Sequence, residues 1–265
     1  MKNKISFFVV LGCLCCLLHN CFKITDPDDG IINDPNYPTT LNPLSASQIA
    51  QLQAEFDSLN NPPLCTTINK YGFTGDDSNC RCYQMVEMEE ADVIDLAIQT
   101  VLKNSKFTNA NDSILLRSTV WATSTNKIRW NVRFGPQQYH GYELPFTWIY
   151  VRIYDREAYS IARYWYKDIC IPDHDNIGAQ QAANKVIDEK IVWYNFGGSA
   201  QSFIVSNDDI GSPINKAIYP VETEESIKLR VTWKIPILFS GFVGWHIYLD
   251  TMTGEIVEII QEFRT

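Results

Sequence analysis

Apolar positions recur at helical spacing in two places in the first half of the chain. Ile49, Leu52, Phe56 and Leu59 follow Ser45-x-x-Gln48, the pattern in which a Ser side chain and a Gln three residues on cap each other's free backbone donors. Asn60-Asn61-Pro62-Pro63 ends that helix. Val93, Leu96, Ala97, Thr100 and Val101 form one face of a second helix, over 89–104, and the acids Glu87, Glu89 and Glu90 suit its positive N-terminal end. Alternation then predicts strands at 114–123, 127–134, 146–155 and 158–167, with turns at Asn126-Lys127 and 155–157.

The order then recurs. Ala179, Ala182, Ala183, Val186 and Ile187 predict a helix over 176–190, followed by strands at 202–206, 227–235, 244–250 and 255–263. A helix followed by antiparallel strands, twice, is an internal repeat of about 90 residues. No βαβ alternation is present, which excludes a parallel doubly wound sheet. The expected fold class is α+β, with two tandem units, each a helix packed on an antiparallel β-sheet. The predicted organisation is a signal segment at 1–21, an extended tether at 22–44, and a helix with a Cys-containing irregular segment at 45–88. The first unit then covers 89–172 and the second 173–265. Pro27, Pro35, Pro38 and Pro43 mark the tether.

The N-terminus adds an address. Lys2 and Lys4 precede the apolar run Ile5–Leu18, which as a helix reaches about 21 Å, short of the ~30 Å hydrocarbon core. Leu18-His19-Asn20-Cys21 then resembles a bacterial lipoprotein signal. That resemblance implies that Cys21 becomes the first mature residue and is acylated with fatty chains such as palmitate. Val10-Leu11-Gly12-Cys13 is the alternative, with Cys13 as the acylated residue; an ordinary secretory signal is a third reading. The lipoprotein reading implies a cell-envelope location and membrane attachment through lipid alone.

Lys and Arg total 22 against 31 Asp and Glu, a formal net charge of −9. That balance excludes nucleic acid as a partner, because duplex binding needs a basic patch. Eight Cys are present. Cys65, Cys80, Cys82 and Cys170 lie beyond the signal, and in an oxidising compartment they predict two disulfides. A Cys80–Cys82 bridge closes a strained ring, so Cys65 pairs with one of these two and Cys170 with the other. A zinc site from these four and His174 is disfavoured by the spacing, and Asp173-His174-Asp175 reads as a turn before a helix. No metal and no cofactor are expected.

No His-Glu-x-x-His, phosphate loop or Gly-x-Ser-x-Gly occurs, and Gly197-Gly198-Ser199 reads as a loop. His246 reads as a sheet residue and His140 as a loop residue. No catalytic residues are assigned, and the chain is expected not to be an enzyme. Tyr164, Trp165 and Tyr166, with Trp193, Tyr194 and Phe196, exceed what one strand face can bury. The surplus predicts either exposed aromatics that bind a glycan, small ligand or peptide, led by Trp165 and Trp193, or aromatics covered by the second unit.

Val231-Thr232-Trp233-Lys234-Ile235, followed by Gly244 through Val257, resembles the C-terminal hairpin of PepSY-type domains, with an aromatic strand, an Asp-x-x-Thr-Gly-Glu turn and an apolar strand. Asp250 accepts from turn amides in such a turn, and Gly254 takes the left-handed conformation. The resemblance implies a cystatin-like helix on an antiparallel sheet, extracytoplasmic, without catalytic residues. It also implies a partner that is an envelope protein or a peptidase.

Overall fold

The computed structural model describes residues 36–77, 80, 84, 86–194, 197–239 and 242–262. The expected signal, Cys13, Cys21, Cys82 and Phe196 lie outside them, as does most of the expected tether.

The end of that tether is not free. Strand β1 (Thr39–Leu41) pairs antiparallel with a strand of the second half, Thr39 opposite Leu229. Tyr37 and Leu41 bury themselves beside it, and the Val231 N–H donates to the Tyr37 hydroxyl at 3.0 Å. Helix α1 (Ala46–Leu59) opens with the reciprocal cap, in which the Ser45 N–H donates to Gln48 Oε1 at 2.9 Å. The segment expected to be irregular contains a small ribbon, β2 (Thr66–Ile68) against β3 (Thr74–Asp76).

Helix α2 (Glu90–Lys103) buries Val93, Ala97, Ile98 and Val101. A short α3 (Ser105–Thr108) follows, then α4 (Ser113–Ser118). The strand expected from Ile114 is therefore a helix for its first turns. The Asp112 side chain accepts from the N–H groups of Ile114 and Leu115 at 2.8 and 3.2 Å, and that cap favours the helix.

Strands β4 (Val120–Thr125) and β5 (Arg129–Phe134) form the first hairpin. The chain then leaves this sheet as an arm, β6 (Gln137–Tyr139) and β7 (Tyr142–Leu144). It returns as β8 (Trp148–Tyr154) and β9 (Glu157–Tyr164), giving a four-stranded antiparallel meander in the order β4-β5-β8-β9. The departure needs a glycine. Gly135 has φ +127°, and a Cβ there would lie 2.5 Å from the Thr147 carbonyl oxygen.

In the second half α5 (Ala179–Lys185) is shorter than the expected helix, because β10 (Lys190–Tyr194) begins where that helix was to end. Strand β10 pairs with β11 (Ala200–Ile204) as a separate hairpin. Then come β12 (Asn215–Glu222), β13 (Ile227–Phe239), β14 (Phe242–Asp250) and β15 (Ile256–Gln261), a second antiparallel meander. The arm extends that sheet, in the order β15-β14-β13-β12-β7-β6. The contact is one parallel bridge, Ala217 opposite Glu143.

The fold is α+β, and each of its two larger sheets contains a four-strand meander preceded by a helix. Three main cores follow from this plan. Under the first sheet, Val93, Ala97 and Val101 meet Trp130, Val132, Phe134, Ile149, Val151 and Ile161. Under the second, Ala182 and Val186 meet Ile235, Ile237, Trp245 and Ile247. Between the halves, Phe73, Leu144, Tyr166 and Ile169 pack on Ile218, Leu229 and Val231. Burial of this apolar surface, at about 25 cal/mol per Å², is the main term holding the halves together.

Candidate functional site

The β14–β15 turn is built from one carboxylate. Asp250 Oδ1 accepts from the N–H groups of Met252 and Thr253 at 2.8 and 3.0 Å, and Oδ2 accepts from Arg230 Nη1 at 2.7 Å. Gly254 closes the turn at φ +71°, its N–H donating to the Asp250 carbonyl at 2.9 Å. Asp250 is 1% exposed, so this is a structural anchor and not a surface for ligands.

Cys65 is bonded to Cys80. Cys170 Sγ lies 3.9 Å from the Asp168 carbonyl oxygen. Among the described residues no three metal-ligating side chains gather into one group. His174 Nδ1 is buried without a hydrogen bond, and Asp175 is committed to Lys216 at 2.6 Å.

An open groove of about 700 Å³ lies where β7 and β12 diverge. It exists because these two strands share a single bridge and then separate. Tyr142 and Glu143 form one wall, and Lys216, Lys234, Pro236 and His246 line the other side. Its charges are paired. Lys216 Nζ contacts Asp175 and sits 5.6 and 5.3 Å from the ring centres of Tyr142 and Trp233. Burial works against the Lys216 charge, but the bond to Asp175 and the nearby Tyr142 outweigh it and raise its pKa. Lys234 Nζ lies 3.8 Å from Glu143, and His246 Nδ1 lies 2.5 Å from Glu262. On the same sheet, the Tyr219 and Tyr248 rings meet at a tilt with centres 4.6 Å apart, and burial pushes Tyr219 up to about 12 and raises Tyr248 as well. The groove therefore presents lysines already paired with carboxylates.

Of the two expected ligand-binding aromatics, Trp165 is not at the surface. Trp165 is 3% exposed and belongs to the first core. Strand β9 ends at Tyr164, so strict alternation no longer applies and Trp165 and Tyr166 both turn inward. Trp193 is half-buried, 5.2 Å from Trp245 and 5.6 Å from Phe239.

The apolar surface lies elsewhere. The β10–β11 hairpin lays Ile191, Trp193 and Phe203 on the second core. Its register, with Lys190 opposite Ile204, turns Val192, Tyr194 and Ile204 to the other face. These are 52%, 70% and 62% exposed. Neither Val192 nor Ile204 stood out in the sequence, since the β10–β11 pairing that aligns them was not predicted.

No protein-family model matches the chain, and no curated protein matches it. Among solved structures, the Bacillus megaterium YpeB C-terminal domain is similar at 10% sequence identity and a TM-score of 0.32, over 83% of this chain and 98% of that one. A likeness this distant carries no argument about function.

Proposed function

We propose that the chain is a non-enzymatic lipoprotein of the cell envelope, acylated at Cys21, whose body binds an envelope protein or peptidase. The two helix-and-meander halves are read as one PepSY-like design used twice. The observation that supports a binding role is the outer face of the β10–β11 hairpin. Val192, Tyr194 and Ile204 share one face of a two-stranded ribbon, with Ile204 opposite Lys190 and Val192 opposite Ser202, and are more than half exposed. Apolar side chains sharing one exposed face favour docking, since water around them is released when they are covered. The buried state of Trp165 removes the support for a glycan site built on it.

The test is capture from solubilised envelopes on the immobilised full chain. The wild type recovers one or a few proteins. The Val192→Ser, Tyr194→Ser, Ile204→Ser triple variant loses them while keeping its thermal midpoint. Equal recovery by the triple variant removes this face from the proposal. Incorporation of labelled palmitate, lost in Cys21→Ala and kept in Cys13→Ala, tests the anchor.

A further inference from the structure

We infer that the outer face of the first sheet binds an acidic glycan, a sugar chain that carries carboxylates. The inference goes beyond capture of an envelope protein and stands on the other half of the molecule.

Helix α2 covers one face of this sheet, where Val132, Val151 and Ile161 are buried. Alternation sends the residues between them to the opposite face. The register sets three of these in one row across β4, β5 and β8, with Trp121 opposite Arg133 and Arg133 opposite Tyr150. Trp121 is 55% exposed, Arg133 is exposed and Tyr150 is half-buried. In a neighbouring row Trp148 lies opposite Tyr164, their ring centres 5.2 Å apart, and Trp148 is 6.2 Å from Tyr150. An aromatic platform thus extends over β9 and β8, with an arginine and then a tryptophan beyond it.

The charge of this face is opposite to that of the chain. The chain has a formal net charge of −9, whereas Arg129, Arg133 and Arg152 all stand here. The carboxylates lie to one side. Asp76 of β3 is committed to Arg152, and Glu157 lies opposite Tyr154 beside the β8–β9 turn. Among the described residues no carboxylate pairs with Arg133.

Arg133 therefore offers a planar fork suited to a carboxylate, between two rings whose negative faces attract C–H groups. An acidic glycan supplies both partners, carboxylates for the fork and the C–H faces of its sugar rings for the aromatics. A run of acidic residues in a peptide supplies the carboxylates without the ring faces. A single nucleic-acid strand brings a phosphate with every base and is held along a basic groove. This face instead sets one arginine between two aromatics, and its four strands contain no lysine. Two strand spacings put the Trp121 and Tyr150 backbones about 10 Å apart, so the site takes a chain of sugars rather than one.

Isothermal titration of the full chain in non-ionic detergent tests this. The acidic probes are hyaluronan oligosaccharides, with a carboxylate on alternate sugars, and polygalacturonate, with one on every sugar. Dextran, polyglutamate and a thymidine oligonucleotide are the controls. At least one acidic glycan binds, and the controls bind more weakly by about tenfold or more. Arg133→Gln lowers the glycan affinity by about tenfold and flattens its dependence on salt. Trp121→Ala lowers the affinity and leaves the salt dependence in place. Thermal melts check that both variants are folded, and Trp121→Thr replaces Trp121→Ala if the latter is not. Absence of binding to both acidic glycans overturns the inference, as do variants that bind like the wild type. Polyglutamate or the oligonucleotide binding as tightly as the glycans overturns it too. The probes contain no folded protein, so failure here leaves the capture of an envelope protein standing.

Discussion

Arg163 and Gly72, 91 positions apart in the chain, are joined by a hydrogen bond from Nη2 to the Gly72 carbonyl at 2.8 Å. Nη1 donates to the Trp165 carbonyl at 2.7 Å, and the guanidinium lies 5.0 Å from the ring centre of Phe73. Arg163 is 5% exposed, and burial pushes its pKa down to about 9, against the opposing pull of Tyr166. Among the described residues no carboxylate pairs with this cation, which is held by carbonyls and a ring. Replacing it by Ala leaves two acceptors without their donor and a hole beside Phe73, which costs roughly 2–5 kcal/mol. Arg163→Lys recovers little, since one ammonium does not reproduce the planar fork. Urea midpoints of both variants check this.

Asp250→Ala removes the one acceptor shared by two turn N–H groups and leaves Arg230 without its carboxylate, an expected loss of about 3 kcal/mol. Gly254→Ala is milder, about 1–2 kcal/mol, from the left-handed backbone. Its added Cβ would meet Lys185 Cε at 2.9 Å, the far end of a side chain able to move away. Chemical denaturation ranks the two.

Alkaline pH should destabilise the fold through its tyrosines. Burial raises the pKa of Tyr37 and Tyr219 to about 12 and raises Tyr166 and Tyr248 as well. In the unfolded chain these groups ionise near pH ~10. Their contribution is therefore complete below that value and is lost as pH rises through the folded pKa. Arg163 acts in the opposite sense, but it is one group against four. The expected result is a urea midpoint that falls between pH 10 and 12, with four tyrosines withheld from ultraviolet titration until unfolding.

Cys65→Ser opens the loop closed with Cys80, a separation of 15 residues. The expected loss is about 3 kcal/mol on the chain-entropy account. Adding reductant to the wild type should lower its midpoint by a similar amount and leave the variant's midpoint nearly unchanged.

Trp165→Ala is expected to cost roughly 3–5 kcal/mol, as a large buried side chain does. Capture of a partner, measured below the lowered melting temperature, should be unaffected, because the indole is not on the surface.

What the sequence disclosed follows from range. Helices α1 and α2 were legible because their caps and periodic faces are local. Most strands of the two meanders were legible through alternation. Strand β12 was not, since Pro220 interrupts its pattern and only its pairing with Leu229 gives it a place. The β6–β7 arm and β1 were missed because each strand has three residues, and β1 and β7 find their places against residues far along the chain. Of the candidate site residues, Asp250 and Gly254 form a local turn whose chemistry was readable. Trp165 stayed open between an exposed and a covered place because the end of β9, which no local signal marks, decides which way it points. The exposed Val192 and Ile204 depended on the β10–β11 register, which periodicity in a single short strand does not supply.

The arm at residues 137–144 also bears on biosynthesis. It emerges from the ribosome well before β12, the strand it will lie beside. The nascent first half must carry a protruding ribbon with nothing yet synthesised to receive it. Completion of the second half is thus the event that retires this ribbon, and a chain stalled between the two would display a sticky splinter to every neighbour.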